Sequence, residues 1–472
     1  MPDPLELRSE HEPALELALA EAKAFLATLD EGLVRDPRAD EIAEAIGGDL
    51  PETGDGALAA LQELHNAVPA ATRSAGPRFF HFVIGGSTPA ALAADWLAST
   101  LDQNAGLWTA SPLGSQLERI AVEWLKELFE LPAEWSGVLT TGATMANFTA
   151  LAAARRWYGE QHGVDVEQDG LTGLPTMQVL TGGYIHVSTK KALAMLGIGT
   201  GNIRRFERDG SGRVDLDALH RALADSGPAL VVATAGDVNT GDFDPVDELA
   251  AIARSHGAWL HVDGAFGLFA RLTPEAAALV RGVEEADSVI ADGHKWLNVP
   301  YECGFAFLRE PRYQVEAFAA GAPYLVTEDR PAWGFLGPEL SRRARAFATW
   351  ATLRAYGRSG YRTMVERHLA LARRVGEQVE AAPELELLAP VKLNVVCFRL
   401  SPPGLDDEAE LDELNRRVGA AVIEDGRVYF GITVYRGHVC FRPAFVNWLT
   451  TERDVDLIVE TVRELAAVSA PG

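Results

Sequence analysis

The sequence predicts an α/β fold: a mostly parallel central sheet covered by helices, with a helical N-terminal arm before it and a smaller α+β domain after it. Three observations lead there. Between about residues 136 and 308, short apolar runs at 137–140, 230–234, 258–263 and 288–291 alternate with helical patterns. Runs rich in Val, Ile and Leu without polar alternation are what a sheet buried on both faces requires. Ahead of them, residues 13–30 set Leu15, Ala18, Ala22, Phe25 and Leu29 on one helical face, with Pro13 near the start. Beyond them, strand-like segments at 392–400, 426–432 and 438–441 lead to a helix at about 452–465, which Thr451 can cap with Asp454 three positions on. The boundaries expected are an arm over 1–78, a large domain over 79–345 and a small domain over 346–472.

A chain of 472 residues is too long for one small core, and 47% hydrophobic with 23% charged residues is the composition of a globular protein. The formal net charge of −25 repels phosphate backbones and anionic lipid heads, so neither nucleic acid nor membrane is an expected partner. No apolar run reaches the roughly 18–20 residues that span a bilayer, and the first residues lack the basic start and apolar stretch of a secretory signal. Cys303, Cys397 and Cys440 are odd in number and lack metal-ligand spacing. Buried thiols in a reducing cytoplasm, and no metal site, are expected.

Ligands of open parallel sheets bind beyond the carboxyl ends of the strands, so the polar residues closing each run are the candidates. Thr140-Thr141-Gly142-Ala143-Thr144-Met145-Ala146-Asn147 places a glycine turn between a strand and a helix. The free amides and positive dipole end of such a helix, with threonine hydroxyls nearby, can seat a phosphate, although a threonine-capped turn looks the same. Asp263 ends an otherwise apolar run, where a carboxylate is costly without a positive partner or a ring of donors. A protonated ring nitrogen is such a partner, and capping the next turn is the alternative. Lys295, in His294-Lys295-Trp296, follows another run. A desolvated lysine held by bulky neighbours can attack an aldehyde as the neutral amine, while a lone Lys beside Trp also suits a surface. His186, between an apolar pair and a helical run, can stack on an aromatic cofactor or serve structure alone.

The order and spacing of these motifs, Gly-Ala-Thr at 142–144, His186, His-Val-Asp-Gly-Ala at 261–265 and His294-Lys295-Trp296, resemble those of the group II pyridoxal-phosphate-dependent decarboxylases, which include the aromatic-L-amino-acid and glutamate decarboxylases. The resemblance spans roughly residues 70–465. It implies the fold-type I, aminotransferase-like architecture and a homodimer whose subunits share active sites. It implies that Lys295 joins pyridoxal 5′-phosphate covalently, that Asp263 pairs with the ring nitrogen, that His186 stacks on the ring, and that Ala143 and Thr144 bind the phosphate. His294 would lie beside the lysine and Ala265 would line the ring. The stretch Gly321-Ala322-Pro323-Tyr324-Leu325 resembles the family's mobile loop, with Tyr324 as the residue that protonates the carbanion left by CO2 loss. Arg442 in Cys440-Phe441-Arg442-Pro443 looks like the family's arginine for a substrate carboxylate; a planar guanidinium suits both oxygens, and a structural salt bridge is the competing use. Asp292 stands where relatives often carry Asn, and cannot donate to phosphate as Asn does.

Residues 77–86, Pro-Arg-Phe-Phe-His-Phe-Val-Ile-Gly-Gly, resemble the substrate-pocket segment of aromatic decarboxylases, and Trp108 with Ser111-Pro112 matches another pocket region. Phe82, Trp108 and Arg442 are therefore the candidate substrate residues, although Gly85-Gly86 replaces bulkier residues expected of a dopa-type pocket. The activity implied is decarboxylation of an L-amino acid to its amine and CO2, an aromatic or large apolar substrate ranking before an acidic one. A pyridoxal enzyme of another reaction type, an aminotransferase or aldehyde synthase, and a non-catalytic scaffold are the competing functions.

Overall fold

A computed structural model describes residues 8–319 and 330–469. Its strands are β1 (Ser136–Thr140), β2 (Gln178–Thr181), β3 (Ile203–Arg205), β4 (Ala229–Thr234), β5 (Trp259–Asp263), β6 (Ser288–Asp292) and β7 (Gly304–Leu308), then β8 (Leu385–Leu387), β9 (Phe398–Leu400), β10 (Ile432–Tyr435) and β11 (His438–Phe441). The first seven form one sheet in the order β1-β7-β6-β5-β4-β2-β3. Only β7 runs against its neighbours β1 and β6; the other pairings are parallel. Strands β4, β5 and β6 are buried at every position, which is why they read as unbroken apolar runs. The α/β expectation holds.

The remaining strands form a second, antiparallel sheet in the order β10-β11-β9-β8. Here strand segments are shorter than the sequence suggests. Of 392–400 only β9 is a strand, and within 426–432 Tyr429 is held instead by a bridge to Phe79. The amide of Phe80 donates to Tyr429 O at 2.7 Å and that of Tyr429 to Arg78 O at 3.0 Å. The partner thus lies some 350 residues away in the chain, beyond the reach of local pattern. The C-terminal helix Glu452–Ser469 starts as expected: the Asp454 carboxylate accepts from both the amide and hydroxyl of Thr451, at 2.9 and 2.6 Å.

The helix Ala346–Ala381 is broken at Gly357 (φ 58°, ψ −176°), a left-handed conformation that glycine adopts without a Cβ penalty. Its first half packs on the helices Pro89–Leu101 and Pro112–Phe129. Residues through Leu369 therefore join the large core, and those from Leu371 join the core of Phe398, Phe430, Phe441 and Phe445. Phe80 also belongs to that second core, and the two cores part along this helix near residue 370. The helix His11–Ala27 leaves Leu15 60% exposed; of the apolar stripe Leu15, Ala18, Ala22, Phe25 and Leu29, only Leu29, just past the helix, is buried. No described helix is long and apolar enough to cross a membrane.

Candidate active site

The carboxyl ends of β1, β2, β4, β5 and β6 meet at one edge of the sheet, and the candidate residues follow from that polarity. Asp263 closes β5, where its carboxylate is buried. Its Oδ2 accepts from Thr189 Oγ1 at 2.9 Å and Asn147 Nδ2 at 3.1 Å, and its Oδ1 from the Ala265 amide at 3.2 Å. Burial pushes the carboxyl's proton affinity up, but the fields of His186, His261 and Lys295 and the Asn147 donor outweigh it, so the group lies below the ordinary carboxylate range. Among the described residues it accepts these three hydrogen bonds and forms no ion pair. His186 caps the helix Val187–Met195 through Nδ1, which accepts from the Ser188 amide at 3.2 Å and faces the Ser188 hydroxyl at 2.7 Å. Burial lowers its pKa despite Asp263; the neutral ring must then carry its proton on Nε2.

Lys295 follows β6. Its ammonium lies 3.2 Å from Asp292 Oδ2 and 5.6 Å from the centre of the Phe266 ring. His294 sits 3.5 Å from the same Asp292 oxygen and stacks on Tyr301 with centroids 4.2 Å apart, and its burial lowers its pKa. Gly85 explains how this turn is held. A Cβ there would fall 1.8 Å from the Lys295 carbonyl oxygen, and the Gly85 amide donates to His294 O at 3.1 Å. The glycine is demanded by backbone contact with the lysine turn, so its small size does not report on substrate size.

At the helix Ala143–Gln161, the amide of Ala143 is already taken by Asp292 Oδ1 at 2.6 Å. The amides of Thr144 and Met145 have no intrahelical partner, and the Thr144 hydroxyl makes no hydrogen bond among the described residues. Gly142 (φ 148°) opens the helix where a Cβ would press on the His294 ring at 3.0 Å. These groups fit pyridoxal phosphate: uncommitted amides and a hydroxyl for the phosphate, a lysine for the aldehyde, a buried anion for the ring nitrogen and an imidazole for its face. Ala265 ties the two strand ends together, its amide on Asp263 and its carbonyl accepting from the Asp292 amide at 2.9 Å.

Arg442 follows β11 and is only 8% exposed, yet it forms no ion pair among the described residues and its Nη1 has no partner. The salt-bridge alternative is therefore absent there. Burial lowers its pKa, partly offset by Asp237. Its charge reaches His81, whose pKa falls to about 4 through burial and then Arg442. Phe82 is 62% exposed and Val83 buried, in a turn with φ of 53° and 60°. Positive φ at a β-branched residue is rare and strained. No hydrogen bond or ring contact ties Phe82 or Trp108 to Lys295 among the described residues; the Trp108 ring lies 4.8 Å from the Arg330 guanidinium. Tyr324 lies outside the described residues.

Sequence reading missed Asn147, Thr189, His261, Ser288 and Phe266, and saw Asp292 only as a departure. Asn147 lay within a quoted motif at the second turn of its helix, on the face toward Asp263, and helical periodicity from Ala143 was the signal that could have found it. The three cysteines are free and buried, and no group of three metal-ligating side chains occurs among the described residues.

Comparison with known proteins agrees with this geometry. Residues 41–401 match the Pyridoxal-dependent decarboxylase conserved domain. The chain is 28% identical over 456 residues to an aromatic-L-amino-acid decarboxylase of Bacillus atrophaeus, covering 94% of this chain and 91% of that protein. It is 33% identical over 445 residues to an L-2,4-diaminobutyrate decarboxylase of Rhizobium meliloti (strain 1021), covering 88% and 84%. The fold superposes on the crystal structure of Oryza sativa TDC with PLP and tryptamine with a TM-score of 0.90, at 24% identity and 98% coverage of both chains. With its matched domain spanning most of its length, the chain belongs to the pyridoxal-dependent decarboxylase family and is a PLP-dependent carboxy-lyase.

Proposed function

We propose that this enzyme decarboxylates an aromatic or large apolar L-amino acid, with Lys295 holding the cofactor and Arg442 receiving a substrate carboxylate. The observation that carries the assignment is a buried guanidinium, Arg442, and a buried carboxylate, Asp263, that both act on His186 and form no ion pair among the described residues. Pyridoxal phosphate supplies the electron sink, its protonated ring accepting the pair left on Cα when CO2 departs. The protein's residues do the rest. Asp263 would hold the ring nitrogen protonated, His186 would lie against the ring with Nε2–H available, and Thr144 with the helix amides would hold the phosphate. Arg442 fixes a carboxylate so that the scissile bond can be aimed. Exclusion of water around these buried groups strengthens each of these interactions.

The aromatic preference is supported by the aromatic run that the Arg442 charge reaches: it acts on His81, and the exposed Phe82 ring lies 3.7 Å from the His81 ring, while the Phe79 ring, itself buried, stacks on Tyr429 with centroids 5.1 Å apart at 9°. Such surfaces favour flat apolar side chains, and the Bacillus relative named above acts in its name on aromatic amino acids. The homodimer implied by the resemblance would give the exposed Phe82 ring a partner, and sedimentation of the holoenzyme tests it. Tyr324 is proposed as the proton donor to Cα.

Purified enzyme loaded with cofactor and offered the common L-amino acids, dopa, 5-hydroxytryptophan and 2,4-diaminobutyrate decides the matter. Release of CO2 and amine from aromatic substrates is expected, with no need for a 2-oxoacid and none in Lys295→Ala. Turnover confined to acidic or diamino substrates, or aldehyde and ammonia as products, overturns the proposal.

A further inference from the structure

We propose that Asn147, backed by His261 and Ser288, is a positioning residue that keeps Asp263 the weaker base and so keeps the proton on the cofactor's ring nitrogen. The inference rests on the pairing of Asp263 with that nitrogen proposed above.

The four side chains form one buried chain whose direction is fixed by chemistry. Asn147 is fully buried at the second turn of the helix Ala143–Gln161. Its Nδ2 lies 3.1 Å from Asp263 Oδ2 and 3.3 Å from Ser188 Oγ; its Oδ1 lies 2.7 Å from His261 Nε2. A flipped amide would set its oxygen against the Asp263 carboxylate, so the nitrogen must face the anion and the oxygen must accept from His261. The Nε2 of His261 therefore carries a proton. Burial drops the pKa of this imidazole to about 4, so the ring is neutral and its Nδ1 is bare. That atom accepts from Ser288 Oγ at 2.9 Å, and Ser288 Oγ in turn accepts from Trp259 Nε1 at 3.0 Å. Both N–H donors of Asn147 and its carbonyl oxygen are thereby engaged, and the run Trp259 to Ser288 to His261 to Asn147 to Asp263 points its donors at one carboxylate.

Asn147 is also a fork. Its second N–H reaches Ser188 Oγ, whose own proton goes to His186 Nδ1 at 2.7 Å. One amide therefore orients both the anion meant for the ring nitrogen and the imidazole meant for the ring face. The helix Ala143–Gln161, β5, β6 and the helix Val187–Met195 each contribute a side chain to this contact set.

The consequence follows from the balance of proton affinities. In a pair of ring nitrogen and carboxylate, the proton sits on the nitrogen only while the carboxylate is the weaker base. Each donor to Asp263 lowers its basicity, and polarised chains strengthen their last bond. Removing the Asn147 donor raises the basicity of Asp263 and moves the proton toward it, leaving the ring a poorer electron sink. The other titratable groups facing this carboxylate are His186, His261 and Lys295, with Asp292 next to the lysine; apart from His261 none is altered in the test.

Holoenzymes of the wild type, Asn147→Leu, His261→Leu, His261→Gln, Ser288→Ala and Asp263→Ala are loaded with pyridoxal phosphate carrying ¹⁵N in the ring. The ring ¹⁵N chemical shift and the pH midpoint of the visible absorbance are then measured. A hydrogen bond to a charged group is worth about one to two pH units of proton affinity. Asn147→Leu and His261→Leu are expected to move the nitrogen signal toward its unprotonated value and raise the midpoint by about one unit. Ser288→Ala moves both less, and His261→Gln stays with the wild type because its amide offers a donor and an acceptor in the same sense. Leucine variants that match the wild type while Asp263→Ala departs from it overturn the role of the chain. An Asp263→Ala signal equal to wild type instead overturns the pairing of Asp263 with the ring. Should the leucine variants not fold, His261→Gln and Ser288→Ala decide: a Ser288→Ala signal no further from wild type than that of His261→Gln sinks the proposal.

Discussion

Arg442→Met separates a binding arginine from a structural one, because the two roles predict opposite changes in stability. The guanidinium is 8% exposed, forms no ion pair among the described residues and leaves Nη1 without a partner. A carboxylate gripped by two parallel charge-assisted bonds gains about 1.5–3 kcal/mol from each. Loss of both, about 3–6 kcal/mol, corresponds to a fall in kcat/KM of roughly 10²- to 10⁴-fold. Stability should not fall with it. Replacing buried charge by an apolar side chain of similar volume ranges from neutral to a gain of about 1–4 kcal/mol. Asp237, the carboxyl group whose field acts on Arg442, keeps its bonds from the amides of Asn239 and Thr240 and the Thr240 hydroxyl, at 2.9–3.0 Å. Decarboxylation kinetics and thermal melting without substrate, at matched cofactor loading, read both quantities. A variant that keeps kcat/KM within a few-fold of wild type, or that melts several degrees lower, would refute the reasoning.

Three further predictions rest on other parts of the site. Gly85→Ala puts a methyl group 1.8 Å from the Lys295 carbonyl oxygen; the overpacking cost of about 1–3 kcal/mol should weaken cofactor binding by about 5- to 150-fold, and wild-type affinity in an absorbance titration would contradict it. His368, buried between the Trp296 indole N–H and Asn447 O at 2.8 Å each, has its pKa lowered to about 3 by burial. The native ring is neutral while the unfolded one binds a proton below about pH 6.5, so stability is lost as pH falls from there toward 3. His368→Gln should therefore lessen the pH slope of unfolding free energy by about 1.4 kcal/mol per pH unit between pH 6 and 4, and equal slopes would show the histidine does not titrate. Tyr324→Phe should abolish most amine formation, as quantified by chromatography; unchanged amine output removes Tyr324 from the reaction.

The local chain determined the strand-end chemistry. Runs buried on both faces cannot alternate polar and apolar residues, so β4, β5 and β6 were legible, and with them the positions where Asp263 and Lys295 leave the sheet. What local pattern cannot hold is a contact between distant segments. Gly85 reads as a missing pocket residue until the Lys295 carbonyl is seen against it, and Asp292 as a lost phosphate donor until it is seen on the Ala143 amide. The cores part near residue 370 because one helix serves both and Phe80 crosses to the second. The direction of the Asn147–His261–Ser288 chain arises from residues up to 141 positions apart, whose hydrogen-bonding roles are undefined until folding removes water and leaves each atom a single partner.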